Sequence, residues 1–162
     1  MAFKKAVKSG QKARIAFTGP SGSGKTYSAL TVATYLLAGT GMRIATIDTE
    51  HGSASKYADK FDFDVDAMDP PYDPRTFVQK MNEAQASGEY GVLIVDSLTH
   101  AWGGTGGLLD LVEKFGKNSQ GNKFAGWKEG TPIQNQMIDA LLSWPGHVIV
   151  TMRSKQDYVL DS

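Results

Sequence analysis

An α/β fold with a mainly parallel sheet flanked by helices is what this sequence predicts, and three observations lead to it. The runs RIAFT (14–18), RIATID (43–48), GVLIVDS (91–97) and HVIVTM (147–152) are apolar on consecutive residues, as strands buried on both faces are. Helical segments stand between these runs, the alternation that builds a parallel sheet. The first run also passes through a glycine-rich turn directly into a helix, giving a strand–helix–strand unit with RIATID.

In chain order, the helix predicted over 26–37 is apolar on most faces and therefore buried, and Gly39 and Gly41 end it. A short helix is expected within 55–61, and FDVDAM (63–68) alternates as an exposed strand does. DPPYDP breaks the chain before a helix over 74–87, and a further helix is expected over 108–117. GKNSQGNKFAGWKEGTP, rich in glycine and amides, reads as a mobile loop, and a last helix over 132–143 leads into the final strand. Met68, Met81, Met137 and Met152 fall in these elements as core fillers.

At 162 residues the chain is expected to be one domain, with a basic arm at 1–12 and the core at 13–162. The first fourteen residues carry five cations and no acid but lack the apolar stretch of a signal peptide. Lys plus Arg and Asp plus Glu number 17 each, so no global charge points to a nucleic-acid coat or a membrane surface. No apolar run approaches a membrane span. The absence of cysteine removes disulfides, thiolate metal sites and cysteine nucleophiles. A soluble protein of the cytoplasm is expected. His51, His100 and His147 show no metal-ligand spacing and are expected in ordinary hydrogen-bonded roles.

The chemistry begins at GPSGSGKT: Gly19, Pro20, Ser21, Gly22, Ser23, Gly24, Lys25 and Thr26 fit G-x-x-x-x-G-K-[ST], the phosphate-binding P-loop. Its glycines let the backbone form an anion nest at a helix N-terminus. Lys25 is expected to neutralise the β- and γ-phosphates of ATP, and the Thr26 hydroxyl to ligate Mg²⁺. Asp96, at the end of a buried strand, is the natural carboxylate toward that metal, with a helix N-cap as its plainer role. The residue after it is Ser97 rather than an acid. The water-activating base must then lie elsewhere, and Glu50 follows the end of another core strand. Asp48 is expected to cap or orient that loop, against the plainer reading that both acids begin a solvated turn.

IDTEHGSASKYADKF followed by a second apolar run ending VDS resembles the ATPase core of the RecA family, in which a glutamate after the second core strand is the catalytic base. More narrowly, DSLTHAW, GWKEGTP and HVIVTMRSKQDYVL are similar to phage-encoded RecA-like ATPases associated with recombination and single-strand annealing. The resemblance implies a P-loop NTPase fold, ATP and Mg²⁺ as cofactors, and the roles above for Lys25, Thr26, Asp96 and Glu50. It adds Tyr57, seven residues beyond Glu50, where RecA proteins stack a tyrosine on adenine; packing of its helix onto the sheet is the plainer role. Where those proteins carry a polar sensor, usually glutamine, this chain has Arg153. Arg153 is expected to sense γ-phosphate in its own subunit, with an arginine finger, a DNA contact or a surface arginine as alternatives.

The resemblance further implies a homo-oligomer acting on single-stranded DNA, with phage single-strand-binding or annealing proteins as partners in a bacterial cytoplasm. The corresponding DNA-contacting segments are WGGTGG through GNKFAGWKEGT, and SKQDYVLDS. Lys114, Lys117, Lys123 and Lys128 with Phe124 and Trp127 suit a base-stacking surface or, equally, a subunit contact. RecA-like cores place another strand beside the P-loop strand, and the sequence stops at DYVLDS. An open sheet edge at RIAFT is therefore expected, in a C-terminally incomplete chain or one whose edge a neighbouring subunit covers. A small-molecule or nucleoside kinase and a slow nucleotide-switched binding protein are the rival readings.

Overall fold

The computed structural model describes residues 3, 5 and 10–154. Five strands, β1 (Arg14–Gly19), β2 (Arg43–Asp48), β3 (Asp64–Ala67), β4 (Tyr90–Asp96) and β5 (His147–Arg153), form one sheet. Its order is β1-β5-β4-β2-β3, and every pairing is parallel. The helices are α1 (Lys25–Leu37), α2 (Pro74–Ser87), α3 (Thr99–Gly103), α4 (Leu108–Asn118) and α5 (Lys123–Ser143), with a 3-10 turn at Ala54–Tyr57. The parallel α/β fold read from the sequence is thus the fold observed.

The consecutive apolar residues of β4 divide between two cores. Val92 and Ile94 pack with Ala29, Leu30 and Ala33 of α1, while Leu93 and Val95 pack with Phe77 and Met81 of α2 and Met137 and Leu141 of α5. Alternate side chains of a strand face opposite sides, so a strand covered on both must be apolar throughout. β3 needs less cover: it is an edge strand, and its Asp66 reaches out to pair with Lys80 at 2.5 Å. Met68, Met81 and Met137 are buried as expected, whereas Met152 is half-exposed because it stands near the end of β5. At the other sheet edge, β1 pairs with β5 alone among the described residues.

The largest departure from expectation lies before the last strand. The stretch read as a mobile loop is largely helix, since α5 begins at Lys123 and carries Pro132 in its interior. Asn122 caps it, its side chain accepting from the Phe124 N–H at 2.9 Å. Gly121, at φ 79°, makes the turn before the helix, whereas Gly126 and Gly130 serve close packing. A Cβ at Gly126 would stand 2.3 Å from the Val112 carbonyl oxygen of α4, and one at Gly130 2.3 Å from a Val112 methyl. Helix α3, five residues long, was not expected either; it is too short for periodicity to disclose. SKQDYVLDS lies outside the described residues after Ser154.

The carboxyl ends of four strands meet on one side of the sheet, bringing Gly19, Asp48, Asp96 and Arg153 to a common rim. A crevice at this end is where open parallel sheets bind ligands.

Gly126→Ala tests the packing argument. The methyl gains about 1 kcal/mol of helix propensity, but overpacking costs about 1–3 kcal/mol and here meets backbone that cannot rotate away. Urea denaturation is expected to show a lower midpoint than the parent; an unchanged or raised midpoint contradicts the close approach of α4 and α5.

Candidate functional site

The turn between β1 and α1 is built on left-handed glycines, Gly22 at φ 77° and Gly24 at φ 85°, conformations in which a Cβ is strained. Gly24 is the N-cap of α1, so Lys25 and Thr26 open the helix. The Lys25 ammonium donates to the Pro20 carbonyl at 2.7 Å, spanning the loop. A cleft of about 290 Å³ opens here, walled by Ser21, Gly22, Gly24, Lys25 and Thr26 on one side and by Glu50, Tyr57, Asp96 and Arg153 on the other. Gly19, Pro20 and Ser23 belong to the same turn but do not line the cleft. The Ser23 N–H donates to the Pro20 carbonyl at 3.3 Å, and a Cβ on Gly19 would stand 2.8 Å from the Ser23 hydroxyl.

Asp96 is buried at 2% exposure, and hydroxyls from two other elements satisfy its carboxylate. Thr26 donates to Oδ2 at 2.6 Å, and Thr151 of β5 donates to Oδ1. The sequence singled out Thr26 and Asp96 but not Thr151, which disappears into an apolar strand pattern.

The IDTE tetrapeptide divides its labour in three. Asp48 is buried and accepts from the N–H groups of Glu50 at 2.7 Å and Ala54 at 3.1 Å, folding the loop back on itself. Burial pushes its carboxyl above the usual carboxylate range; those two N–H groups oppose the shift, and the negative charges of Asp96 and Glu50 add to it. Thr49 is fully buried and bonds across to the turn after β4. Glu50 faces the cleft and forms an ion pair with Arg153. The Arg153 backbone N–H donates to the Thr99 hydroxyl at 2.9 Å, which ties the end of β5 to α3.

Tyr57 stands between the cleft and the core. It lines the cleft, and it packs edge-on against Tyr27 at 5.7 Å between ring centres, beside the α1 core. Ser53 and Lys56, which sequence reasoning passed over, line the same cleft from the 3-10 turn and the residue before it. The basic and aromatic set stands apart from the cleft on α4 and α5. Lys114, Lys117, Lys123 and Lys128 are exposed, Phe124 is 89% exposed, and Trp127 packs 6.0 Å from Trp102 of α3. Lys117 is paired with Glu113 at 2.6 Å.

Two histidines take the ordinary roles expected of them. His147 accepts from the Ala13 N–H at 2.9 Å, and His100 stacks on Tyr72 with ring centres 4.8 Å apart. Burial holds His100 below its ordinary value of 6.5, helped by the positive charge of Arg153 and opposed by Glu50. No helix among the described residues is long and apolar enough to cross a membrane.

Residues 11–162 match a family of known proteins described as an AAA domain. No curated protein matches the chain.

The shift at His100 has a pH signature. Its folded-state affinity for protons is lower than in the unfolded chain, so its contribution to stability is present above the ordinary value of 6.5 and is lost as pH falls through the folded value. Thermal unfolding between about pH 7.5 and 5.5 is expected to show a smaller loss of stability for His100→Gln than for the parent protein. Equal losses contradict the half-buried neutral imidazole.

Proposed function

The chain belongs to the AAA domain family, and from that premise we propose that it is a Mg²⁺-dependent ATPase of the RecA-like kind, acting on single-stranded DNA in phage recombination or repair. The observation that carries this reading is the convergence of Lys25, Thr26, Glu50, Asp96 and Arg153 on one cleft, although they come from four separate stretches of the fold.

The side chains present fit Mg²⁺. Among the described residues no three carboxylates or imidazoles gather into a protein-only metal cage, which suits an ion that takes few protein ligands and draws the rest from water and phosphate. The Thr26 hydroxyl and the Asp96 carboxylate, 2.6 Å apart beside Lys25, are hard oxygen donors of that kind. When bound, Mg²⁺ supplies charge neutralisation of the β- and γ-phosphate oxygens.

The protein's own residues do the remainder. The P-loop turn and the start of α1 hold the phosphates, and Lys25 exchanges its Pro20 contact for phosphate oxygens. The Tyr57 ring offers a stacking face to the base. Glu50 accepts a proton from the attacking water, but its carboxylate is engaged by Arg153. A γ-phosphate in the cleft gives the guanidinium a competing anionic partner, so phosphate binding and release of the base become one event. The same ion pair favours a second reading, a nucleotide switch with slow turnover, if Arg153 holds Glu50 throughout.

For single-stranded DNA the support is the α4–α5 surface, where exposed lysines lie on the same two helices as the protruding Phe124 ring. Cations track a phosphate backbone and an aromatic face stacks bases without regard to sequence. A homo-oligomer, with single-strand-binding or annealing proteins as partners, completes the proposal.

Lys25→Ala is expected to abolish ATP binding or turnover. Glu50→Gln is expected to retain ATP affinity within about 2-fold and lose about 10²–10⁴-fold in turnover; equal rates in Glu50→Gln and parent favour the switch. Phe124→Ala is expected to weaken single-stranded DNA binding by about 1–3 kcal/mol, with affinity falling as salt rises. Unchanged, salt-insensitive binding contradicts the assigned surface.

A further inference from the structure

Thr49 is bonded through every polar atom it has. Its N–H donates to the Asp96 carbonyl at 2.7 Å, and its carbonyl accepts from the Tyr72 hydroxyl at 3.3 Å. Its side-chain oxygen accepts from the Ser97 N–H at 2.9 Å, lies 3.2 Å from the Ser97 carbonyl and stands 2.6 Å from Nδ1 of His100. Two proton arrangements satisfy this cluster. Either the hydroxyl donates to Nδ1, or Nδ1–H donates to the hydroxyl, which then donates to the Ser97 carbonyl. In both, three groups that follow β4 converge on the residue immediately before Glu50.

His100 is itself held. Tyr72 stacks flat on its ring, with 15° between the planes, and the Tyr72 N–H donates to the Thr105 carbonyl at 2.8 Å. The loop carrying Glu50 and the turn carrying Asp96 are therefore joined side by side through buried groups with little freedom to drift. On the other side of Glu50, the Asp48 carboxylate takes the Glu50 N–H.

We propose that Thr49 and His100 are positioning residues for ATP hydrolysis, whose hydrogen-bond cluster fixes the Glu50 loop against the Asp96–Ser97 turn and so sets where the Glu50 carboxylate stands relative to the Thr26–Asp96 pair. The inference rests on the reading of Glu50 as the base. Neither residue lines the cleft. Displacing a base by about 1 Å costs on the order of 10²-fold in rate while leaving phosphate contacts in place. The effect therefore belongs in kcat and not in nucleotide affinity.

The test is steady-state hydrolysis of ATP with Mg²⁺, alongside binding of a fluorescent ATP analogue and a thermal melt, for Thr49→Val, Thr49→Ser, His100→Phe, Glu50→Gln and the Thr49→Val/Glu50→Gln pair. Thr49→Val keeps the side chain's shape and removes the hydroxyl; it is expected to lower kcat about 10–100-fold with nucleotide affinity within about 2-fold. Thr49→Ser restores the hydroxyl and is expected to recover most of the rate. His100→Phe keeps the stack on Tyr72 without Nδ1, is expected to lower kcat similarly, and carries the test if Thr49→Val does not fold. The double variant is expected to turn over no more slowly than Glu50→Gln alone, because Thr49 acts through Glu50. Turnover by Thr49→Val and His100→Phe at the parental rate, or additive losses in the double variant, overturns the positioning role alone. A parental rate in Glu50→Gln overturns the assignment of the base and this inference with it.

Discussion

Asp96 is the point on which the site's geometry depends. Its carboxylate is buried at the end of β4, where an unpaired charge costs several kcal/mol or more. Relief comes from the hydroxyls of Thr26 on α1 and Thr151 on β5. Those two bonds fasten the first turn of α1 and the neighbouring strand to the middle of the sheet. The P-loop lies directly before Thr26, and Arg153 stands two residues after Thr151. Positioning the phosphate cradle and the cleft's arginine thus follows from satisfying one buried carboxylate.

A second layer of buried polar groups extends the same order to Glu50. β2 and β4 are adjacent and in register at their ends, with Asp48 opposite Asp96. Thr49 carries that register beyond the strands by donating its N–H to the Asp96 carbonyl and accepting from the Ser97 N–H at its hydroxyl. Glu50 consequently leaves the sheet at a fixed height above the Thr26–Asp96 pair. Its pairing with Arg153 couples the two side chains, since an anion that attracts the guanidinium releases the Glu50 carboxylate. Rigid backbone beneath a replaceable ion pair is a sensible arrangement for hydrolysis that must wait for a phosphate.

The sequence disclosed the parts whose signal is local. GPSGSGKT carries its function in its spacing, and β2 and β4 were legible because strands buried on two faces leave unbroken apolar runs. Glu50 and Arg153 were singled out as strand-end residues, and they do line the cleft. Their pairing was hidden because the partners lie 103 positions apart in the chain. The same distance problem concealed Thr151 and the Thr49–His100 bond. The start of α5 was misread for another reason: glycine is a helix breaker in isolation, but Gly126 and Gly130 earn their place by admitting α4 at close range. Local propensity lost to tertiary packing there, and the aromatic and basic residues taken for loop positions stand on a helix instead.

In the proposed mechanism Thr26 and Asp96 form the metal-binding pair of an ATP site whose base is released from Arg153 by the γ-phosphate. Its most direct test is a crystal structure with Mg²⁺ and a non-hydrolysable ATP analogue. The expected result is Mg²⁺ bound by the Thr26 hydroxyl with Asp96 beside it, Arg153 turned to the γ-phosphate, and the Glu50 carboxylate free to face a water in line with that phosphate. Nucleotide bound away from the P-loop, or Glu50 still paired with Arg153 beneath a bound γ-phosphate, would contradict it.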